Sequence, residues 1–101
     1  MVTILQVDFP LEEPFGNEMA EQFEDLATSI NHEPGFLWNI WTENESEQEA
    51  GGIYAVDNKT NARKYLDMHS QRIQSMGVPY VNAKIFDVNE DLTQITKGRL
   101  D

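Results

Sequence analysis

The segment from Asn31 to Trp41 constrains the fold of this chain more than any other, because it ends a helix and begins an aromatic strand within a few residues. Proline cannot continue a helix, and the residue before a proline is disfavoured in the α region, so Glu33-Pro34 marks an end. Gly35 then permits backbone angles that other residues avoid. The strand that follows is apolar on both faces, which requires cover on both sides. We expect the chain's own helices to cover one face and a second subunit to cover the other.

Apolar periodicity along the rest of the chain predicts the order strand, helix, strand, strand, helix, strand within one domain spanning residues 1–101. The predicted strands cover residues 3–9, 36–43, 50–56 and 80–88, and the helices cover 17–30, with Asn17 as the N-cap, and about 58–76. Asn89 is predicted to cap a short tail helix. Two right-handed crossovers joined by a hairpin give a ferredoxin-like α+β fold. Its four-stranded antiparallel sheet has the order 4-1-3-2, with both helices on one face.

Charge and composition exclude several classes of partner and site. Lys plus Arg number 7 against 18 for Asp plus Glu, a net charge of −11, which disfavours nucleic acids and anionic membrane surfaces. No apolar run approaches the roughly 20 residues of a membrane span. The absence of cysteine excludes disulfides, thiolate nucleophiles and cysteine-ligated metals. The first residues lack the features of a signal peptide, and we expect a cytoplasmic protein.

Other proteins with the ferredoxin-like order fit this sequence less well. RNA-recognition motifs need basic residues around stacking aromatics, and this chain has the opposite charge. Acylphosphatases hold phosphate with an arginine in the first strand–helix loop, and residues 10–16 contain none. Amino-acid-sensing regulatory domains stay possible.

His69 is the strongest candidate for catalysis. It is the only strongly polar member of the inward stripe of the second helix, so it should point at the sheet. Near pH 7 its ring can accept or donate a proton. A buried histidine satisfied by a single structural partner is the alternative interpretation. Tyr65 and Arg72 lie about one turn away, and Arg72 could hold an anionic oxygen of a substrate or simply flank the helix in solvent.

Three further aromatic residues, Trp38, Trp41 and Tyr54, could line a substrate pocket. Core packing is the alternative for each of them. Trp38 and Trp41 lie three positions apart on one strand and must point to opposite faces. Only one can face the helices, and the sequence does not decide which.

Glutamates alternate at positions 43, 45, 47 and 49 in the predicted hairpin. Four carboxylates can suggest calcium or magnesium, but the ligand spacing of an EF-hand is absent. We interpret the segment as a solvated loop and predict no metal site.

Several segments, in this order and spacing, resemble the YdhR-type family, and the resemblance extends over nearly the whole chain. They are Pro14-Phe15-Gly16, Ser29-Ile30-Asn31, the run from Glu33 to Trp38, Trp41-Thr42-Glu43, Ala50-Gly51-Gly52-Ile53-Tyr54, and the run from Ala83 to Glu90. This family is grouped with the dimeric α+β barrels, beside antibiotic-biosynthesis monooxygenases that oxidise quinol-like aromatics without flavin, haem or metal. Its own monooxygenase activity is inferred from that relationship.

The resemblance implies a homodimer whose two sheets form a barrel, with a pocket in each subunit between sheet and helices. It also strengthens the case for His69, because related enzymes often carry a histidine on this helix. Haem-degrading relatives place a tryptophan where the third strand enters the second helix, and here that region reads Val56-Asp57-Asn58, which disfavours haem degradation.

The sequence hypothesis is therefore a cofactor-independent monooxygenase that acts with O₂ on a small phenol- or quinol-like aromatic compound. A dimer that binds a small molecule in the same pocket without catalysis is the main alternative. A purely structural dimer is the third.

Overall fold

The computed structural model describes residues 2–101 and confirms the ferredoxin-like order of elements. The strands are β1 (Thr3–Pro10), β2 (Phe36–Asn44), β3 (Glu49–Val56) and β4 (Asn82–Asp87). The helices are α1 (Gly16–Gln22), α2 (Glu24–Ile30), α3 (Lys59–Ser75) and α4 (Glu90–Ile95). The helix and strand bounds match the predicted ones to within a few residues in most places.

The four strands form one antiparallel sheet in the order β2-β3-β1-β4. Leu5 pairs with Tyr54 on β3 and with Ile85 on β4, which fixes the central register. Because strand residues alternate between faces, these three side chains share one face. Leu5 and Tyr54 belong to the main core cluster, with Val7, Ile30 and Tyr65, so this is the face that the helices cover.

The turn before β2 behaves as the sequence predicts. Gly35 has φ +77°, in the left-handed region that favours glycine. A Cβ at this position would run into the side chains of Asp57 and Asn61. The carbonyl of Gly35 also accepts a hydrogen bond from the Asp57 amide, at 2.9 Å, so the turn is tied to the start of α3.

The first helical segment differs from the prediction in two ways. It is interrupted at Phe23 (φ −106°, ψ 13°) and forms two short helices rather than one. The apolar period continues across the interruption, which is why the sequence alone indicates a single helix. Asn17 is not the N-cap: α1 already begins at Gly16, whose amide donates to the Glu43 carboxylate of β2 at 3.2 Å.

The cap of α4 follows the prediction, and α3 is capped by Asn58. The Asn58 side chain accepts a hydrogen bond from the Asn61 amide at 2.8 Å, and Asn89 does the same for Leu92 at 3.2 Å. The helices α3 and α4 nevertheless differ in how much they bury. α3 buries Ala62, Tyr65, His69 and Ile73 against the sheet, whereas no residue of α4 is buried.

Strand β4 is shorter than the predicted 80–88. Its ladder with β1 runs from Asp87 opposite Thr3 to Asn82 opposite Asp8. Tyr80 and Val81 lie outside this ladder, where β1 approaches Pro10, a residue that has no amide hydrogen to donate. Within residues 2–101, no helix combines the length and apolarity that crossing a membrane requires.

Candidate active site

A cavity of about 200 Å³ lies between the helix-covered face of the sheet and the helices. Its lining is mainly apolar and comes from the strands, from α1 to α3 and from the loop after β1. The apolar lining includes Phe9, Leu11, Pro14, Met19, Phe23, Leu26, Trp41, Ile73, Met76 and Val78. Tyr54 and His69 are among its few polar lining residues, and both are almost fully buried, at 4% and 3% exposure. Few polar groups in an apolar concavity are typical of a small-molecule site.

The polar side of the cavity is a chain of three side chains. The Tyr54 hydroxyl lies 3.1 Å from His69 Nε2, and Arg72 Nη2 lies 3.0 Å from His69 Nδ1. His69 is therefore held at both ring nitrogens, by a strand residue on one side and by a residue of its own helix on the other. His69 and Arg72 lie three positions apart on α3, so their side chains share one face of the helix.

Burial controls the protonation of these groups. It lowers the pKa of His69 to about 4, with a further contribution from the positive charge of Arg72. Burial also raises the pKa of Tyr54 to about 12 and, together with the neighbouring Tyr54 hydroxyl, raises the pKa of Tyr65. At neutral pH the imidazole and both phenols are uncharged, and Arg72 carries the only formal charge of this cluster.

Two glycines on β3 make room for Tyr54. A Cβ on Gly52 would lie 2.8 Å from the Tyr54 hydroxyl, and a Cβ on Gly51 would run into the backbone carbonyl of Val7. Gly52 and Tyr54 are two apart on the strand and share a face, so the tyrosine leans over the space where a side chain would stand. These glycines thus allow the hydroxyl to reach His69.

The structure separates the two tryptophans. Trp41 lines the cavity and stacks on Phe23, with ring centroids 6.1 Å apart. Trp38 pairs with Ala55 on the opposite face of the sheet and does not line the cavity; its buried indole nitrogen has no hydrogen-bond partner among the described residues. Of the two candidates, Trp41 is the one placed to contact a ligand.

Tyr65 and Arg72 lie behind the cavity rather than in its lining. The Tyr65 ring stacks on His69, with centroids 5.0 Å apart, and lies equally close to the ring of Tyr54. Arg72 reaches His69 from the far side, and its Nε has no hydrogen-bond partner among residues 2–101. Arg72 therefore contacts His69 rather than the cavity, and the direct substrate contact that the sequence suggested stays a prediction.

Only two of the alternating glutamates, Glu45 and Glu47, lie in the turn, because Glu43 belongs to β2 and Glu49 to β3. All four are exposed, and the Glu43 carboxylate also accepts a hydrogen bond from the amide of Gly16, which joins β2 to α1. In the described part of the chain no group of three or more potential ligands is arranged to hold a metal ion.

Sequence reasoning missed part of the lining. Residues from the loop after β1, including Leu11 and Pro14, close one side of the cavity, and Val78 contributes after α3. The Gly51-Gly52 pair inside a strand signals the close approach of Tyr54 and of β1, but no pattern in the sequence points to these loop residues.

Comparison with known proteins gives a family and a fold. The family described as "Putative mono-oxygenase ydhR" matches residues 4–99. No curated protein shows a significant sequence match to the chain.

Three solved structures are similar in shape. A protein of unknown function from Nitrosomonas europaea aligns with TM-score 0.62 and 13% identity, over 87% of this chain and 89% of its own. SnoaB, a cofactor-independent oxygenase from Streptomyces nogalater, aligns with TM-score 0.61 and 14% identity, over 87% of this chain and 93% of its own. An antibiotic-biosynthesis monooxygenase candidate from Deinococcus radiodurans aligns with TM-score 0.56 and 14% identity, over 88% of this chain and 93% of its own. At these identities the likeness shows the fold alone.

Proposed function

The chain belongs to the YdhR mono-oxygenase family, and from that premise we propose that it oxidises a small phenol- or quinol-like aromatic compound with O₂, without flavin, haem or metal. The cofactor-independent oxygenase with the same fold supports this type of reaction. The substrate class rests on the cavity.

The cavity between sheet and helices is the observation that carries the proposal. Its volume of about 200 Å³ exceeds the roughly 150 Å³ of an engineered apolar cavity that binds benzene. Aromatic walls from Phe23 and Trp41 suit a flat ring, and the Tyr54–His69 pair offers a polar anchor for one oxygen. A substituted phenol therefore matches both the size and the polarity of the space.

The proposed reaction begins with the phenol in its deprotonated form. We propose that formation of this anion in the cavity depends on His69, at the polar end of the cavity. The phenolate transfers one electron to O₂, which gives a phenoxyl radical and superoxide. Their recombination forms a carbon–oxygen bond, and loss of water leaves a quinone, so one oxygen atom enters the product and the other leaves as water. The protein contributes desolvation, orientation and proton management.

We also propose that the protein acts as a homodimer. Ile40 and Phe86 lie on the sheet face opposite the helices and are 53% and 45% exposed. Exposed apolar surface of this kind is unfavourable in water by about 25 cal/mol per Å². A second copy, packed sheet against sheet, would cover it.

A non-catalytic small-molecule binder is the second candidate, and one observation favours it. Both ring nitrogens of His69 already have partners, so the resting site holds no unengaged base. The same cavity would then bind an aromatic compound without turning it over.

Oxygen uptake by purified, metal-free protein tests the proposal, with a panel of phenols, hydroquinones and anthrones as substrates. We expect uptake above the uncatalysed rate that falls at least about 100-fold in His69→Ala, the usual cost of removing a group that helps to stabilise the charge of the reacting oxygen. His32→Ala is the matched control, because His32 is exposed and lies outside the cavity. Catalase distinguishes the reaction types: it returns oxygen if hydrogen peroxide is the product and none if water is.

The outcomes separate the two candidates. Uptake that survives in His69→Ala would retain the enzyme and remove His69 from its centre. Saturable binding of an aromatic compound with no uptake across the panel would favour the binder.

A further inference from the structure

Arg72 determines the direction of the hydrogen-bond chain that ends at the cavity. Its guanidinium has only donors, so the 3.0 Å contact to His69 Nδ1 requires that nitrogen to be unprotonated. A neutral imidazole then carries its hydrogen on Nε2, where the partner is the Tyr54 hydroxyl at 3.1 Å. The chain therefore runs from Arg72 through His69 to Tyr54, with each group donating to the next.

The Tyr54 hydroxyl accepts the hydrogen of His69 and has its own hydrogen left to donate. Tyr54 lines the cavity, and its hydroxyl makes no hydrogen bond to a described residue other than His69 within ordinary geometry. Burial raises the pKa of Tyr54, whereas the neighbouring Tyr65 hydroxyl lowers it, which is the effect of a hydrogen-bond donor, so Tyr65 leaves the hydrogen of Tyr54 free. The donor is thus available to a molecule in the cavity. A group that receives a hydrogen bond here must present a lone pair.

Charge points the same way. Arg72 forms no salt bridge with any described carboxylate, although acidic residues outnumber basic ones in this chain. Glu13 is the one acidic residue in the cavity lining, and it is exposed to solvent, which screens its charge. A guanidinium two hydrogen bonds from the cavity favours a negative charge at its polar end, because Coulomb attraction is stronger where water is excluded.

We infer that the Arg72–His69–Tyr54 chain makes the cavity selective for the anion of a phenol or enol, whose oxygen accepts the hydrogen bond of Tyr54. Arg72 is a positioning residue in this scheme, since it acts through the tautomer of His69. His69 serves as a relay that donates, because its one lone pair is held by Arg72. The inference rests on the proposed function only for the choice of phenols as ligands.

Binding of 4-nitrophenol tests the selectivity directly, because its anion absorbs visible light and the neutral form does not. We expect the bound compound to ionise at lower pH than the compound in solution. Tyr54→Phe should weaken binding of the anion by roughly 10- to 100-fold, the range for a hydrogen bond to a charged group. 4-Nitroanisole, which has nearly the same shape and cannot ionise, should bind equally well to both proteins.

The tautomer is tested separately by ¹⁵N NMR of the two histidines, with no ligand and no turnover. We expect His69 to be protonated on Nε2 alone at neutral pH, and exposed His32 to serve as the internal reference. Arg72→Met should release Nδ1, populate the other tautomer and reduce anion binding by about 3- to 10-fold. Arg63→Met, an exposed arginine on the same helix, should change neither signal.

Three results would overturn the inference. They are a His69 that carries its hydrogen on Nδ1, a bound nitrophenol that ionises at higher pH than in solution, or no detectable binding of either compound. None depends on oxygen uptake, so failure of the oxygenase proposal is a distinct result.

Discussion

The two faces of the same sheet carry apolar side chains of similar kind but meet different surroundings. On the helix-covered face, Leu5 and Val7 are fully buried. On the opposite face, Ile40 and Phe86 stay about half exposed. Successive side chains of a strand point to opposite faces of the sheet, whether or not anything covers those faces. Where cover exists, the gap between α1, α3 and the strands becomes a cavity with a polar end; where it does not, an apolar surface is left for another molecule.

Truncating the core should give the largest difference between the two faces. Leu5→Ala removes a fully buried side chain and should lower the free energy of unfolding by about 2–5 kcal/mol. Ile40→Ala on the opposite face should lower the free energy of unfolding of a monomer by less than half as much. Urea denaturation at low protein concentration measures both. Equal losses would show that the opposite face is covered even under dilute conditions.

Acidification should weaken the helix-covered face specifically. His69 has a native pKa of about 4 against 6.5 when unfolded, so between these values the unfolded chain binds more protons. Its contribution to stability is complete above pH 6.5 and is lost as the pH falls towards 4, up to about 3 kcal/mol in total. The groups that face it are Tyr54 from β3 and Tyr65 and Arg72 from α3.

The measurement is the difference between the wild type and His69→Gln in unfolding free energy across this pH range. Carboxylates titrate in both proteins and cancel in the difference. A difference that does not change between pH 7 and pH 4 would show that the two states of His69 bind protons equally.

A charge on the uncovered face should break the proposed dimer. Phe86→Lys should weaken self-association by at least about tenfold, because fully burying such a side chain is worth roughly 1.5–3 kcal/mol. Tyr80→Lys is the matched control, since Tyr80 is an exposed aromatic outside the sheet. Sedimentation equilibrium gives the dissociation constants. A wild type that is monomeric at high concentration would remove the dimer from the proposal.

Two equivalent caps offer the smallest and most local comparison. Asn58→Ala should reduce global stability by about 1 kcal/mol, because α3 packs against the sheet. Asn89→Ala removes the same kind of cap from α4, which buries nothing, and should leave global unfolding within about 0.5 kcal/mol of the wild type. Thermal denaturation of the two variants compares them. A full loss in Asn89→Ala would indicate that the tail helix packs on a second copy.

The sequence by itself determined the order of elements, the sheet topology and the inward position of His69. These depend on local chemistry: Pro34 and Gly35 end the helix, alternation defines the strands, and the stripe on α3 selects its buried face. The Asn89 cap of α4 followed from the same local rules. The interruption at Phe23 did not, because its hydrogen bonds to Met19 and Ala27 preserve the helical period on either side.

Only the tertiary structure decided which tryptophan faces the cavity and what Arg72 touches. Strand alternation places Trp38 and Trp41 on opposite faces but does not say which face the helices cover. The contact of Tyr54 with His69 joins residues of different elements across the space over Gly52. The distances between separate elements depend on how they pack, and a periodic pattern within one element carries no information about them.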